Sequence, residues 1–265
     1  MTDEATVRLL DRFLADLRAF DPVALWAHGS LAGGDYQERR SDLDLVAVLD
    51  DPVRFGTVRE LIRLHRRLCA DEPLAGKLHC SYLTPGTAAG AERSYITWAH
   101  NGPMYRPVTP VTRRELHAFG RVLHGVPPAD LLPPVPDGEL RAFVVRDQKE
   151  YWRPAVDKAR LWIRDVWVDL GTVTFARATA TLRDGRLISK GEALGLLPGL
   201  GAPAEVVDDI RRRRYGGAAP PTRAWARRRA ELTRDFLGPA IDGLVTGYEG
   251  STSGWRKVRG GSTRA

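Results

Sequence analysis

The feature that most constrains this chain is a pair of short apolar runs, one ending in Ala27-His28-Gly29-Ser30 and the other opening with Ser41-Asp42-Leu43-Asp44. Val23 to Trp26 reads as a buried strand running into the Gly29-Ser30 turn. Glycine there lets the backbone approach a bulky ligand with no side chain in the way. Ser30 adds a main-chain N–H and a hydroxyl, donors that suit a phosphate at the start of a helix. The second strand sets Asp42 and Asp44 two residues apart, so both carboxylates leave one face while Leu43, Leu45, Ala47 and Leu49 pack inward from the other. Neighbouring carboxylates repel, and a strand that carries them usually holds a hard cation. Mg²⁺ with nucleotide phosphates is the leading candidate. Asp-x-Asp alone is common on solvated strand edges, and Gly-Ser alone says nothing. Only the combination is specific.

Taken in order, the chain opens with a helix over Thr2 to Phe20, with Thr2 as N-cap and Val7, Leu10, Phe13, Leu14 and Leu17 at helical spacing. Asp21-Pro22 ends it. Val53 to Ala70 is a second helix and Lys77 to Leu83 a third strand. Thr84 to Pro110, containing Trp98, His100 and Tyr105, is long for a bare connection, so it is a substrate-side loop or carries short elements. Thr112 to Glu115 reads as a capping box, and Arg121 to Gly125 as a strand. Prolines crowd Val126 to Asp137 and mark a domain boundary. Beyond it the pattern is helical: Asp137 to about Val166 with a kink at Pro154, then Val168 to Arg183, a capping box at Ser189 to Glu192, Pro203 to Arg213, and Thr222 to Val245. This gives an α+β chain: a small mixed-sheet domain over 1–126, a linker over 127–136, an all-helical bundle over 137–248 and a flexible tail over 249–265.

The 265 residues suffice for one large or two modest domains with real cores. No run is long and apolar enough to span a bilayer, and the acidic Met1-Thr2-Asp3-Glu4 is not a basic leader, so a cytoplasmic protein is expected. Cys69 and Cys80 lack ligand spacing and are expected to be reduced. The net charge is +7, concentrated at Arg211–Arg214 and Arg227–Arg229. Such runs can face nucleic acid or triphosphate or be a solvated helix face; without interleaved aromatics, nucleic acid ranks last.

Strand, Gly-Ser, then Asp-x-Asp on the next strand resembles the polymerase-beta-type nucleotidyltransferase superfamily. Val173 to Arg177, Asp184 to Ala193 and Arg121 to Gly125 are similar to the aminoglycoside adenylyltransferases that act on streptomycin and spectinomycin. The resemblance implies an NTP-binding sheet and transfer of a nucleotidyl group to a hydroxyl, with ATP and Mg²⁺. It implies that Gly29 and Ser30 hold phosphates, that Asp42 and Asp44 hold metal, and that Lys190 and Tyr215 reach the ATP phosphates from the second domain. A lysine just inside a helix start can neutralise triphosphate, and it can equally be a surface lysine after a capping serine. A cationic acceptor would want acidic and aromatic partners, which nominates Trp98, Asp165 and Asp169, with Trp162 and Trp167 beside them. The alternatives for these residues are core tryptophans and a solvated acidic face.

The third strand departs from the superfamily's pattern. Its active members carry an acid there, and this chain has His79, with Ser81 on the same face. Either His79 acts as the base, since an imidazole can accept a proton near neutrality, or the site binds nucleotide without turnover. The sequence thus supports an ATP- and Mg²⁺-dependent transferase acting on a small polar acceptor, an aminoglycoside being one candidate. A catalytically degenerate regulator or antitoxin-like protein is the second reading, and transfer to RNA or protein the third.

Overall fold

A computed structural model describes residues 3–88, 93–217 and 220–259, with side chains described as far as 249. The chain divides into two compact units, Met1–Pro136 and Asp137–Ala265.

In the first unit the elements run α1 (Glu4–Leu17), β1 (Pro22–Ala27), α2 (Gly29–Ala32), β2 (Leu43–Leu49), α3 (Phe55–Asp71), β3 (Leu78–Leu83), α4 (Pro85–Ala88), β4 (Ser94–Ala99), β5 (Gly102–Pro107), α5 (Pro110–Phe119), β6 (Arg121–Gly125) and α6 (Pro128–Leu131). The strands form one mixed sheet in the order β5-β4-β3-β2-β1-β6, in which only β2 and β3 are parallel. The expected small mixed sheet is present.

Alternation along the strands splits the core in two. Leu43, Leu45, Ala47 and Leu49 join α1 (Leu9, Phe13, Leu17) and α3 (Leu61, Leu64, Leu68) on one face. Val46 and Val48 meet Ala24, Trp26, Leu116 and Leu132 on the other. That second face carries Asp44 at the start of β2. Burying a leucine or phenylalanine side chain contributes roughly 1.5–3 kcal/mol, so both layers hold β2 firmly.

Several local expectations shift. Thr2 lies outside the described residues; Asp3 caps α1, accepting from the Thr6 N–H at 2.9 Å. Helix α5 starts one turn before the Thr112 box: Thr109 is the cap, accepting from Thr112 N at 3.1 Å, and Pro110 takes the first helical position, where its missing N–H is harmless. Thr84–Pro110 carries a hairpin, β4 to β5, that reverses at His100 (φ 53°) and Asn101 (φ 61°). Two successive left-handed residues match the twist of the flanking strands.

The second unit is all helical: α7 (Asp137–Asp147), α8 (Arg153–Val156), α9 (Ala159–Trp162), α10 (Asp165–Asp184), α11 (Lys190–Leu196), α12 (Ala204–Tyr215) and α13 (Arg223–Arg259). The single kinked helix expected to Val166 is instead several pieces. A π-helical turn at Gln148–Trp152 precedes Pro154, whose ring and missing N–H disrupt the regular ladder, and the chain breaks again at Asp157-Lys158. Gly171 lets α10 cross close to this region: a Cβ there would fall 2.5 Å from the Trp162 ring. The capping box at Ser189 is formed in both directions, Glu192 N to Ser189 Oγ at 3.1 Å and Ser189 N to Glu192 Oε2 at 2.8 Å. Helix α13 runs through Arg259, past the point where the sequence suggests a tail. Among the described residues, no helix is long and apolar enough to cross a membrane.

Candidate active site

The end of β1 and the starts of β2 and β3 converge on the carboxylates. The His28 N–H donates to the Asp44 carbonyl at 2.9 Å, so the turn after β1 is tied to β2. Gly29 follows with φ +61°, and a Cβ built on it would sit 2.6 Å from Asp44 Oδ2. The site therefore requires glycine twice over, for its backbone conformation and for the closeness of the acid. The Ser30 carbonyl accepts from Asp35 N at 3.0 Å, which folds the following loop back.

Asp42 precedes β2 by one residue and Asp44 is the second residue of the strand. Their side chains are 39% and 34% exposed, open to a ligand yet anchored by the sheet. In the parallel register Asp44 stands opposite His79, with Nδ1 3.5 Å from Asp44 Oδ1. Ser81, on the same face, pairs its hydroxyl with Thr97 at 2.9 Å.

Three further residues belong here that sequence reasoning passed over. Lys77 Nζ lies 3.5 Å from Asp42 Oδ1 and donates to the Arg40 carbonyl at 3.1 Å. His100, from the β4–β5 turn, meets the His79 ring edge-on at 4.8 Å and lies 3.1 Å from Arg106. Burial, then the neighbouring His79 and Arg106, push the His100 pKa down, which favours a neutral ring. His28 lies 3.1 Å from the buried Glu115 of α5. Lys77 sits at the head of the strand that also bears His79, a signal the sequence did offer. Contacts of His28 with Glu115 cross 87 positions and left no local trace.

Among the described residues, no group of three or more His, Cys, Asp and Glu side chains is placed to hold a metal ion. What the site offers is two oxygen-donor carboxylates. That set suits Mg²⁺, which commonly takes one or two carboxylates and completes its shell with water and substrate phosphates.

One solved structure now bears on the fold. A spectinomycin adenyltransferase AAD(9) from Enterococcus faecialis, determined with ATP and spectinomycin, superimposes with a TM-score of 0.68. The match covers 89% of this chain and 98% of that one at 15% identity. The chain has the fold of an aminoglycoside adenylyltransferase. No protein-family model and no curated protein matches the sequence.

Within this adenylyltransferase fold the remaining sequence candidates are placed as follows. Trp98 is corrected: it is 3% exposed and stacks on His65 at 4.7 Å, so it is core and lines no acceptor surface. Its position on β4, opposite Cys80, explains the burial. Trp162 is likewise fully buried. Asp165 and Asp169 are on α10, but each carries an arginine: Arg229 lies 2.6 Å from Asp165, and Arg213 Nε 3.2 Å from Asp169. Lys190 opens α11 just inside its capping box. Tyr215 ends α12, is 53% exposed, and has the Arg214 guanidinium over its ring at 5.6 Å.

Proposed function

We propose that this chain is a nucleotidyltransferase that moves a nucleotidyl group, with ATP as the first donor to test, onto a hydroxyl of a small polar acceptor. The observation that carries the proposal is the junction of Gly29, Asp42 and Asp44. The Gly29 backbone, just past the end of β1, is pressed against the Asp44 carboxylate, and Asp42 lies two residues before Asp44 on the same edge. Such a junction leaves room for phosphate oxygens next to a pair of metal-binding acids. Bound there, Mg²⁺ would neutralise phosphate charge during displacement.

The chain's own residues supply the rest. Asp42 and Asp44 would hold the ion, and Gly29 with Ser30 would present backbone to the phosphates. Lys77 fixes Asp42 and adds a positive charge on its flank. His79 faces Asp44 and would take the proton of the attacking hydroxyl. Lys190 and Tyr215 are proposed nucleotide contacts of the second unit, supported by their positions at helix ends.

The solved neighbour was captured with spectinomycin, which makes an aminoglycoside-type acceptor worth testing first. The arginine partners of Asp165 and Asp169 argue against those two acids greeting a cationic acceptor. A second reading, nucleotide binding without turnover, is favoured by one observation: an imidazole stands where an acid is expected, and no third acid joins the pair among the described residues. Incubation with each NTP, Mg²⁺ and a panel of hydroxyl acceptors, read by mass spectrometry for a nucleotidyl adduct, tests both. An adduct establishes transfer. Nucleotide-dependent thermal stabilisation with no adduct on any acceptor establishes the second reading.

A further inference from the structure

One cavity of the second unit, about 870 Å³, involves none of the residues proposed for transfer. It opens among α7, α10, the turn after α11, and α13. Its volume is within the range of roughly 300–1,000 Å³ usual for small-molecule sites. Phe175, Leu182, Leu200 and Leu244 give it apolar walls, and Arg141 and Arg183 give it two guanidiniums.

The two arginines are not equivalent: Arg141 is partly buried and Arg183 is exposed. Elsewhere in the unit, Arg153 holds Asp242, Arg213 holds Asp169, Arg229 holds Asp165, and Arg228 holds Glu205. Among the described residues neither Arg141 nor Arg183 has an acidic partner, and the Arg141 Nε is buried with no hydrogen-bond acceptor at all. A buried donor without an acceptor carries a desolvation penalty of about 1–3 kcal/mol until a ligand supplies one. Arg183, exposed at the cavity, adds a second positive charge that favours an anion there.

Glycines widen the opening on the α13 side. Gly243 and Gly247, one helical turn apart, both line the cavity, and a Cβ on either would touch no atom within 4 Å. Glycine inside a helix costs about 1 kcal/mol relative to alanine, so open space at these positions is bought with stability.

We infer that this cavity is a binding site for an organic anion with an apolar body, a carboxylate or phosphate head held by Arg141 and Arg183 and an alkyl or aromatic portion on Phe175 and the leucines. A polycationic acceptor is repelled from it, so the site is separate from the transfer chemistry and stands whether or not that reading holds.

The full-length protein is titrated with 8-anilinonaphthalene-1-sulfonate, followed by fluorescence, and the bound dye is challenged with decanoate, decyl phosphate, decyltrimethylammonium and inorganic phosphate. Saturable binding is expected, displaced by decanoate or decyl phosphate and not by the cation; which of the two displaces better identifies the head group. Arg141→Ala and Arg183→Ala should each weaken binding about tenfold or more, the loss expected for a charge-assisted hydrogen bond. Arg186→Ala, whose arginine pairs with Glu192 outside the cavity, should change nothing. Gly243→Leu projects a side chain from a point where a Cβ meets no atom and removes a glycine from a helix interior, so it should abolish binding while leaving the melting temperature equal or higher. Equal displacement by the decyl cation, or full binding by Gly243→Leu or by both arginine variants, overturns the proposal. So does complete displacement of the dye by ATP with Mg²⁺.

Discussion

Gly29 and Asp44 lie so close that a methyl group on the glycine would come within 2.6 Å of the Asp44 carboxylate. Gly29→Ala therefore disturbs two things together. The alanine must hold a left-handed backbone, at about 1–3 kcal/mol, and Asp44 must rotate away. A moderate fall in melting temperature is expected, with a loss of transfer of about 100-fold or more. Normal turnover in this variant would mean that the position of the Asp44 carboxylate does not matter to the reaction.

Asp42→Asn and Asp44→Asn keep the shape of the site and remove one charge each. Both side chains are a third or more exposed, so the fold should tolerate the change. Transfer should fall by more than about 100-fold, the scale seen when a preorganised electrostatic group is lost. Adduct formation by mass spectrometry, alongside melting curves, separates lost chemistry from lost structure. A variant with near-normal activity would relocate the metal site.

Much of this site was legible because its residues are local. Gly29, Ser30, Asp42 and Asp44 belong to two strand ends, and strands announce themselves by apolar runs and turn residues. His79 followed from the family resemblance, which expects an acid on that strand, together with strand alternation. The β4–β5 hairpin was not legible, because its left-handed pair is His100-Asn101 rather than the Asn-Gly that usually advertises such a turn. His100 was lost with it. Trp98 was misassigned because aromatic character marks a core position as well as a sugar-binding one, and only the stack on His65 decides between them. The kink at Pro154 was legible, but the π-helical turn before it and the breaks at Asp157-Lys158 and Ile163-Arg164 leave no mark in the periodicity.

His65 gives the first unit a pH dependence. It is 1% exposed, stacked on Trp98, with Nε2 2.5 Å from the Tyr82 hydroxyl. Burial pushes its pKa down to about 3. The unfolded chain binds a proton below about pH 6.5 and the folded chain does not, so stability is full above that pH and declines as pH falls toward 3. At pH 5 the loss is up to about 2 kcal/mol, and His65→Phe should flatten that part of the curve. Melting temperatures across pH 7.5 to 4.5 measure it. An unchanged slope in the variant would assign the acid sensitivity elsewhere.

In the second unit Arg229 is fully buried between Asp209 at 2.9 Å and Asp165 at 2.6 Å. Burial opposes the charged form of Asp209, but the hydrogen bonds from Arg229 and Arg213 prevail and hold its carboxyl below the usual range. Arg229→Met leaves Asp209 to Arg213 alone and removes the buried bridge to Asp165, and should destabilise by about 1–3 kcal/mol. Chemical denaturation followed by circular dichroism reads the change. A loss under 1 kcal/mol would show that the network is not what holds α10 to α13.

The decision between enzyme and binder falls on His79. It faces Asp44 across the parallel register, with His100 against its ring, and it is the group on that strand able to accept a proton from a hydroxyl. Its side chain does not build the core, so His79→Ala should fold and still bind nucleotide, seen as a thermal shift with ATP and Mg²⁺. If the wild-type chain transfers, His79→Ala should slow it by about 100-fold, and His79→Glu, which restores a basic oxygen at the same register, should recover part of the rate. If the wild-type chain binds ATP but does not transfer, a gain of turnover in His79→Glu would show that one histidine holds an otherwise competent site silent. Full activity in His79→Ala would take the proton acceptor away from this strand. His100, 4.8 Å from the His79 ring on the next turn, is then the residue to change.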